Sequence, residues 1–93
     1  MREIERTNCF SRDYKREIRG RHGATLEASF LVVLHALVTD KPLAERYRDH
    51  PLSGDWAGFW DCHIKPDLIL IYEKPDDTTL RLVRLGSHSE LGL

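Results

Sequence analysis

Apolar residues recur along this chain in a helical rhythm in its first half and a strand rhythm in its second. Phe10, Tyr14 and Ile18 repeat every four residues and lay one stripe along a first helix. Ser11 suits its N-cap and Asp13 its first turn, while Gly20 and Gly23 bracket its end. Thr25 is placed to cap a second helix running to about Thr39. There Leu26, Phe30, Val33, Leu34 and Leu37 keep helical spacing, and Leu31, Val32 and Val38 widen the apolar face. A helix so apolar is expected to be mostly buried. The short Gly-containing connection predicts an antiparallel hairpin, which Asp40-Lys41-Pro42 stops.

The strand rhythm starts weakly. Residues 2–7 predict a short first strand, with Ile4 as its one strong apolar residue. Leu43 to Ala57 reads as connection. From Phe59 to Lys65 the pattern alternates, with Trp60, Cys62 and Ile64 on one side and Phe59, Asp61, His63 and Lys65 on the other. Trp60 is expected to pack in the core. Pro66-Asp67 makes a turn, because proline lacks the N–H that a central strand needs. Leu68 to Tyr72 is an apolar run that suits a strand covered on both faces. Pro75 to Thr78 turns again, Leu80 to Leu85 forms the last strand, and Ser87 caps a final helical turn through Leu91. The order β-α-α-β-β-β predicts an α+β fold, a helical hairpin packed on a small antiparallel meander.

At 93 residues the chain makes one domain, residues 1–93, with a single modest core. No apolar run approaches the ~20 residues that span a bilayer, and the charged start, Met1 to Arg6, resembles no signal peptide. Cys9 and Cys62 are the only cysteines, far apart, so a disulfide framework is not implied and a cytoplasmic location is expected. Residues 1–48 hold 10 Lys/Arg against 7 Asp/Glu, and residues 49–93 hold 4 against 8. The basic excess gathers between Arg12 and Arg21, on a stretch able to lie along phosphates or an acidic protein.

Candidate chemistry lies in the second half. His63 and Asp67 flank one hairpin turn, and Arg84 ends the last strand with His88 just beyond. In a meander the end of the last strand lies near the start of the one before it, so these four are expected to converge. His50 sits in a connection that strand order does not place. Histidines titrate near neutrality, and a carboxylate and a guanidinium complete a set able to move protons and stabilise an anion. A zinc site of His50, His63, His88 and Cys62 lacks ligand spacing, and Cys62 and His63 point to opposite strand faces, so no metal or cofactor is expected. His22 and His35 are assigned to helices, away from the set.

Three segments, D-H-P-L-S-G-D-W at 49–56, C-H-I-K-P-D-L-I-L-I-Y at 62–72 and R-L-G-S-H-S-E-L at 84–91, carry a resemblance. With the helical hairpin it covers nearly the whole chain. The sequence resembles the YafQ-type toxins of the RelE/ParE superfamily, ribosome-dependent mRNA endonucleases of bacterial type II toxin–antitoxin systems. The resemblance implies a microbial-RNase-like fold and cleavage of mRNA in the ribosomal A site. It implies attack by a 2′-hydroxyl, leaving a 2′,3′-cyclic phosphate and a 5′-hydroxyl. The matching site residues are His50, His63, Asp67, Arg84 and His88.

Physical chemistry fits His88 as general acid, Arg84 as the partner of the charged phosphorane, and Asp67 with His50 or His63 as base. Exchanging acid and base leaves the sequence reading unchanged. RNA and ribosome contacts fall to Arg12, Lys15, Arg16, Arg19, Arg21, Lys41, Arg46, Arg48 and Lys65. The implied partner is a cognate antitoxin of ribbon-helix-helix type, DinJ/RelB-like, through which alone the toxin meets operator DNA. Relatives commonly carry an aromatic just after S-H-S-E-L, where Gly92 and Leu93 stand here, so base stacking falls to another aromatic. The alternatives are a ParE-like inhibitor of DNA gyrase, a class without the His/Asp/Arg set, and a weakly active toxin acting mainly as co-repressor.

Overall fold

A computed structural model describes residues 1–93. Two helices, α1 (Asn8–Ile18) and α2 (Gly23–Val38), follow the first strand, β1 (Glu3–Arg6). Then come β2 (His50–Pro51), β3 (Trp60–Lys65), β4 (Leu68–Glu73), β5 (Thr79–Gly86) and a last turn of helix, α3 (His88–Leu91). The strands form one sheet in the order β1-β5-β4-β3-β2. β3, β4 and β5 make the expected antiparallel meander, and β2, in a segment expected to be connection, adds a short antiparallel strand to its edge. β1 departs from it by pairing parallel to β5, so the sheet is mixed.

The helix starts also differ from expectation. Thr7, not Ser11, caps α1, accepting the Phe10 N–H at 3.0 Å. Asp13 therefore lies past the first turn. α2 begins at Gly23 with His22 as its N-cap, and Thr25 lies inside the helix. Gly23 is required there, because an added Cβ would stand 2.1 Å from the Ile18 carbonyl oxygen.

β4 separates two apolar clusters. On one face Cys62, Ile64, Leu70, Tyr72, Leu80, Leu82 and Leu85 pack against Phe10 and Phe30 and the inner side of α2. On the other, Ile69 and Ile71 pack with Leu91, supported by Leu52, Trp56, Phe59 and Val83. Every residue from Leu68 to Tyr72 is buried, as the unbroken apolar run predicts. Each such side chain contributes about 1.5–3 kcal/mol on burial. α2 is buried on one side only: Leu31 and Val32 are 52% and 56% exposed, against the expectation that the helix is mostly buried. Trp60, at the sheet margin, is 41% exposed rather than in the core.

Where β1 stops at Arg6, the open edge of β5 continues for four residues, and α1 covers it. Thr7 Oγ1 donates to the Val83 carbonyl at 2.7 Å, and the Leu85 N–H donates to Asp13 Oδ2 at 3.0 Å. Arg16 Nη2 donates to the Leu85 carbonyl at 2.9 Å. A side-chain ladder thus stands in for a missing strand and satisfies edge groups that burial would leave unpaired.

Candidate active site

The sheet face opposite the helices carries a histidine cleft. β2 pairs with β3 so that His50 stands beside Asp61. His63 follows two residues after Asp61, on the same side of the pleat. It is level with Ile69, and Ile69 is level with Gly86, two residues before His88. A capping box then turns the chain: Ser87 Oγ accepts the Glu90 N–H at 3.2 Å, and Glu90 Oε1 accepts the Ser87 N–H at 2.9 Å. That turn brings the His88 ring to 5.3 Å from the His63 ring, centroid to centroid. The resulting cleft, about 530 Å³, is lined by His50, Asp61, His63 and His88, with Trp56 and Leu93 on its walls.

His50 Nδ1 lies 2.6 Å from the Arg48 carbonyl and 3.0 Å from Asp61 Oδ1. Both neighbours are acceptors, so Nδ1 carries the hydrogen and Nε2 of the neutral ring keeps its lone pair. The hydrogen is directed at the carbonyl, and Asp61 Oδ1 has no hydrogen-bond donor. Asp61 is 3% exposed, and burial pushes its carboxyl above the ordinary range. The charges of His50, His63 and His88 oppose that rise, while Asp49 adds to it. Burial likewise holds His63 below the ordinary histidine value, partly offset by Asp61. His50 and His88 are exposed at the cleft mouth. The four side chains are not grouped so as to surround one metal ion.

Two expected members stand elsewhere. Asp67 does share a sheet end with His63, but its carboxylate faces the helices, accepting from His22 Nε2 at 3.0 Å and pairing with Arg21. Arg84 is level with Ile71 and so starts on the cleft face, but its guanidinium is drawn round the open β5 edge to α1, with Nε 2.7 Å from Asp13 Oδ2. The turn between β3 and β4 carries Asp67 off the His63 face, and the Asp13 carboxylate draws the Arg84 guanidinium away from the cleft. Strand order fixes which end of a sheet a residue occupies, whereas alternation and bulges fix its face. Register breaks occur between His63 and Lys65 and beside Ile71. His50, expected in a connection, is placed by the short strand β2. Asp61, absent from the expected set, is the carboxylate that faces the histidines; its i, i+2 spacing to His63 was the available signal.

The basic residues divide in the same way. Arg12, Lys15, Arg19, Lys41, Arg46 and Arg48 are exposed. Arg16, in contrast, is engaged by Asp13, Glu17 and Glu90, and Arg21 by Asp67. Lys65 leaves the His63 face at the bulge and donates to Ser29 Oγ at 3.4 Å. The Arg46 guanidinium carbon stands over the Tyr47 ring, 4.9 Å from its centroid, beside a second hollow that shares His63 with the cleft.

The chain is similar to known toxins over nearly its whole length. The mRNA interferase toxin YafQ of Escherichia coli K12 is 40% identical over 91 residues, covering 98% of this chain and 96% of that one. A metal-bound toxin from Helicobacter pylori superposes with a TM-score of 0.83 at 42% identity, over 98% of this chain and 99% of that one. The toxin of the E. coli DinJ–YafQ toxin–antitoxin complex gives a TM-score of 0.80 at 35% identity, over 97% and 96%. Residues 2–92 match the family described as bacterial toxin of type II toxin–antitoxin system, YafQ, and the chain belongs to that family.

Proposed function

We propose that this chain is a ribosome-dependent mRNA endonuclease, which cuts translated mRNA in the A site by metal-independent acid–base chemistry and so inhibits translation. The observation that carries the reading is the grouping of His50, Asp61, His63 and His88 in one open cleft. His50 Nε2 takes the proton from the 2′-hydroxyl, whose oxygen attacks the adjacent phosphorus in line. The 5′-oxygen leaves with a proton from His88, giving a 2′,3′-cyclic phosphate and a 5′-hydroxyl. Asp61 favours protonated imidazole on its neighbours as the base takes up its proton. His63, kept neutral by burial, holds the His88 ring in place.

Arg84 and Asp67 enter this reaction only by exchanging their helix partners for RNA, Arg84 bringing its fork to the charged phosphorane. Trp56, half-buried in the cleft wall, offers the aromatic surface that Gly92 and Leu93 lack. The exposed basic residues of α1, with Lys41, Arg46 and Arg48, supply ribosomal RNA contacts.

The partner is a DinJ-like antitoxin. A groove of about 460 Å³ between α1 and α2, lined by Tyr14, Ile18, Leu31 and Lys15, suits an amphipathic acidic segment of it. Primer extension on mRNA translated with purified ribosomes tests the reading. Cuts within codons are expected with the wild-type chain and none without ribosomes. Intact mRNA under translation, at toxin levels that arrest growth, overturns it.

A further inference from the structure

The segment that presents His50 is held from the other side of the sheet. Tyr72 is 3% exposed in the helix-side core, and its hydroxyl donates to the carboxylate of Asp49. Asp49 is therefore pinned to one sheet face, and the next residue, His50, must open onto the other. Arg48, just before, adopts the left-handed conformation at φ 50, which is strained for a non-glycine residue. Its N–H donates to the Glu45 carbonyl at 3.0 Å, which holds one side of the strained residue. The Asp49 anchor holds the other. Between them the Arg48 carbonyl is aimed at His50 Nδ1, 2.6 Å away.

We infer that Tyr72 and Asp49 are positioning residues that lock His50 in the Nδ1–H tautomer, leaving Nε2 to accept the substrate proton. This rests on the reading of His50 as general base. Neither side chain lines the histidine cleft; with Trp60 and Lys74 they border a separate hollow. Their effect is transmitted through three consecutive backbone units. A released Arg48 relaxes toward ordinary φ, its carbonyl swings away, and the imidazole hydrogen is free to move to Nε2, where it blocks proton uptake. Asp61, whose hydrogen-bond geometry to His50 is poor, does not hold the tautomer alone.

Nitrogen NMR of the full chain with labelled histidine reads the tautomer directly, at a pH where the ring is neutral and without RNA. Nδ1–H is expected in the wild type and in Asp49→Asn, whose amide oxygen still accepts from Tyr72. Tyr72→Phe and Asp49→Ala are expected to shift His50 toward Nε2–H and to lower kcat roughly ten-fold with KM unchanged. Asp49 is exposed, so its variants test the idea even where Tyr72→Phe disturbs the core. An Nε2–H ring in the wild type overturns the inference, as does an unchanged Nδ1–H ring in both Tyr72→Phe and Asp49→Ala. Cutting by His50→Ala at the wild-type rate counts against the assignment of the base and leaves the measured tautomer untouched.

Discussion

The ring of His63 meets that of His88 edge-on, their centroids 5.3 Å apart and their planes at 63°. One is buried in the sheet face and the other exposed at the start of a capped helical turn. Two imidazoles this close do not both carry a proton cheaply, and burial already favours the neutral form of His63. The proposed reaction therefore draws its donated proton from His88. His88→Ala is expected to lower ribosome-dependent cutting roughly 10²–10⁴-fold. Because His88 is exposed, stability should change by no more than about 0.5 kcal/mol. Primer extension together with thermal melting checks both, and undiminished cutting removes His88 from the acid role.

Asp61 is a charge held where it is poorly satisfied. Its folded pKa is raised by burial, so the native state binds its proton more tightly than the unfolded chain. Stability contributed by that proton is present below the ordinary carboxylate value and lost as pH rises through the folded value. Asp61→Asn should therefore gain about 1 kcal/mol at neutral pH, a gain that shrinks in acid, while cutting falls at least ten-fold. Urea melts at several pH values measure this. A destabilised variant with intact cutting would mean that the carboxylate serves the fold instead.

Asp13 has the opposite sign. Burial alone would raise its pKa, but hydrogen bonds from Arg84 and the Leu85 N–H, with the charges of Arg84 and Arg16, hold it below the usual range. Its contribution is present above about pH 4 and lost as pH falls through the folded value. Asp13→Ala removes the acceptor of the β5 edge as well as the ion pair. It should cost about 3 kcal/mol at neutral pH and much less near pH 2. Equal destabilisation at both pH values would assign the loss to packing.

The two cysteines should differ sharply toward alkylating reagents. Cys62 is fully buried and burial pushes its thiol pKa far up, whereas Cys9 is exposed on α1. Pulse labelling of the native chain should modify one thiol, Cys9, and reach Cys62 only through unfolding. Rapid labelling of both in native buffer would show that the sheet core opens locally.

Much of the architecture was legible in the order of residues because it rests on local rules. Apolar residues at helical spacing marked both helices, the unbroken run Leu68–Tyr72 marked the doubly covered strand, and Ser87 marked the last helical turn. The parallel pairing of β1 was not legible, since Glu3–Arg6 is exposed throughout and carries no apolar alternation. The cap at Thr7 was missed for a related reason: its side chain serves both α1 and the β5 edge, and the second partner is distant in sequence.

The histidine set shows the same division. Sequence alone marked His50, His63 and His88 as candidates, through their residue types and the family resemblance, and alternation put Asp61 on the face of His63. Only the tertiary structure decided that Asp61 faces the histidines, whereas Asp67 and Arg84 turn to Arg21, His22 and Asp13 on the helix side. Strand order is a property of the chain and can be read along it. The face a side chain takes at a strand end depends on bulges and on which charged partner lies nearby, and those are settled only when the helices pack on the sheet.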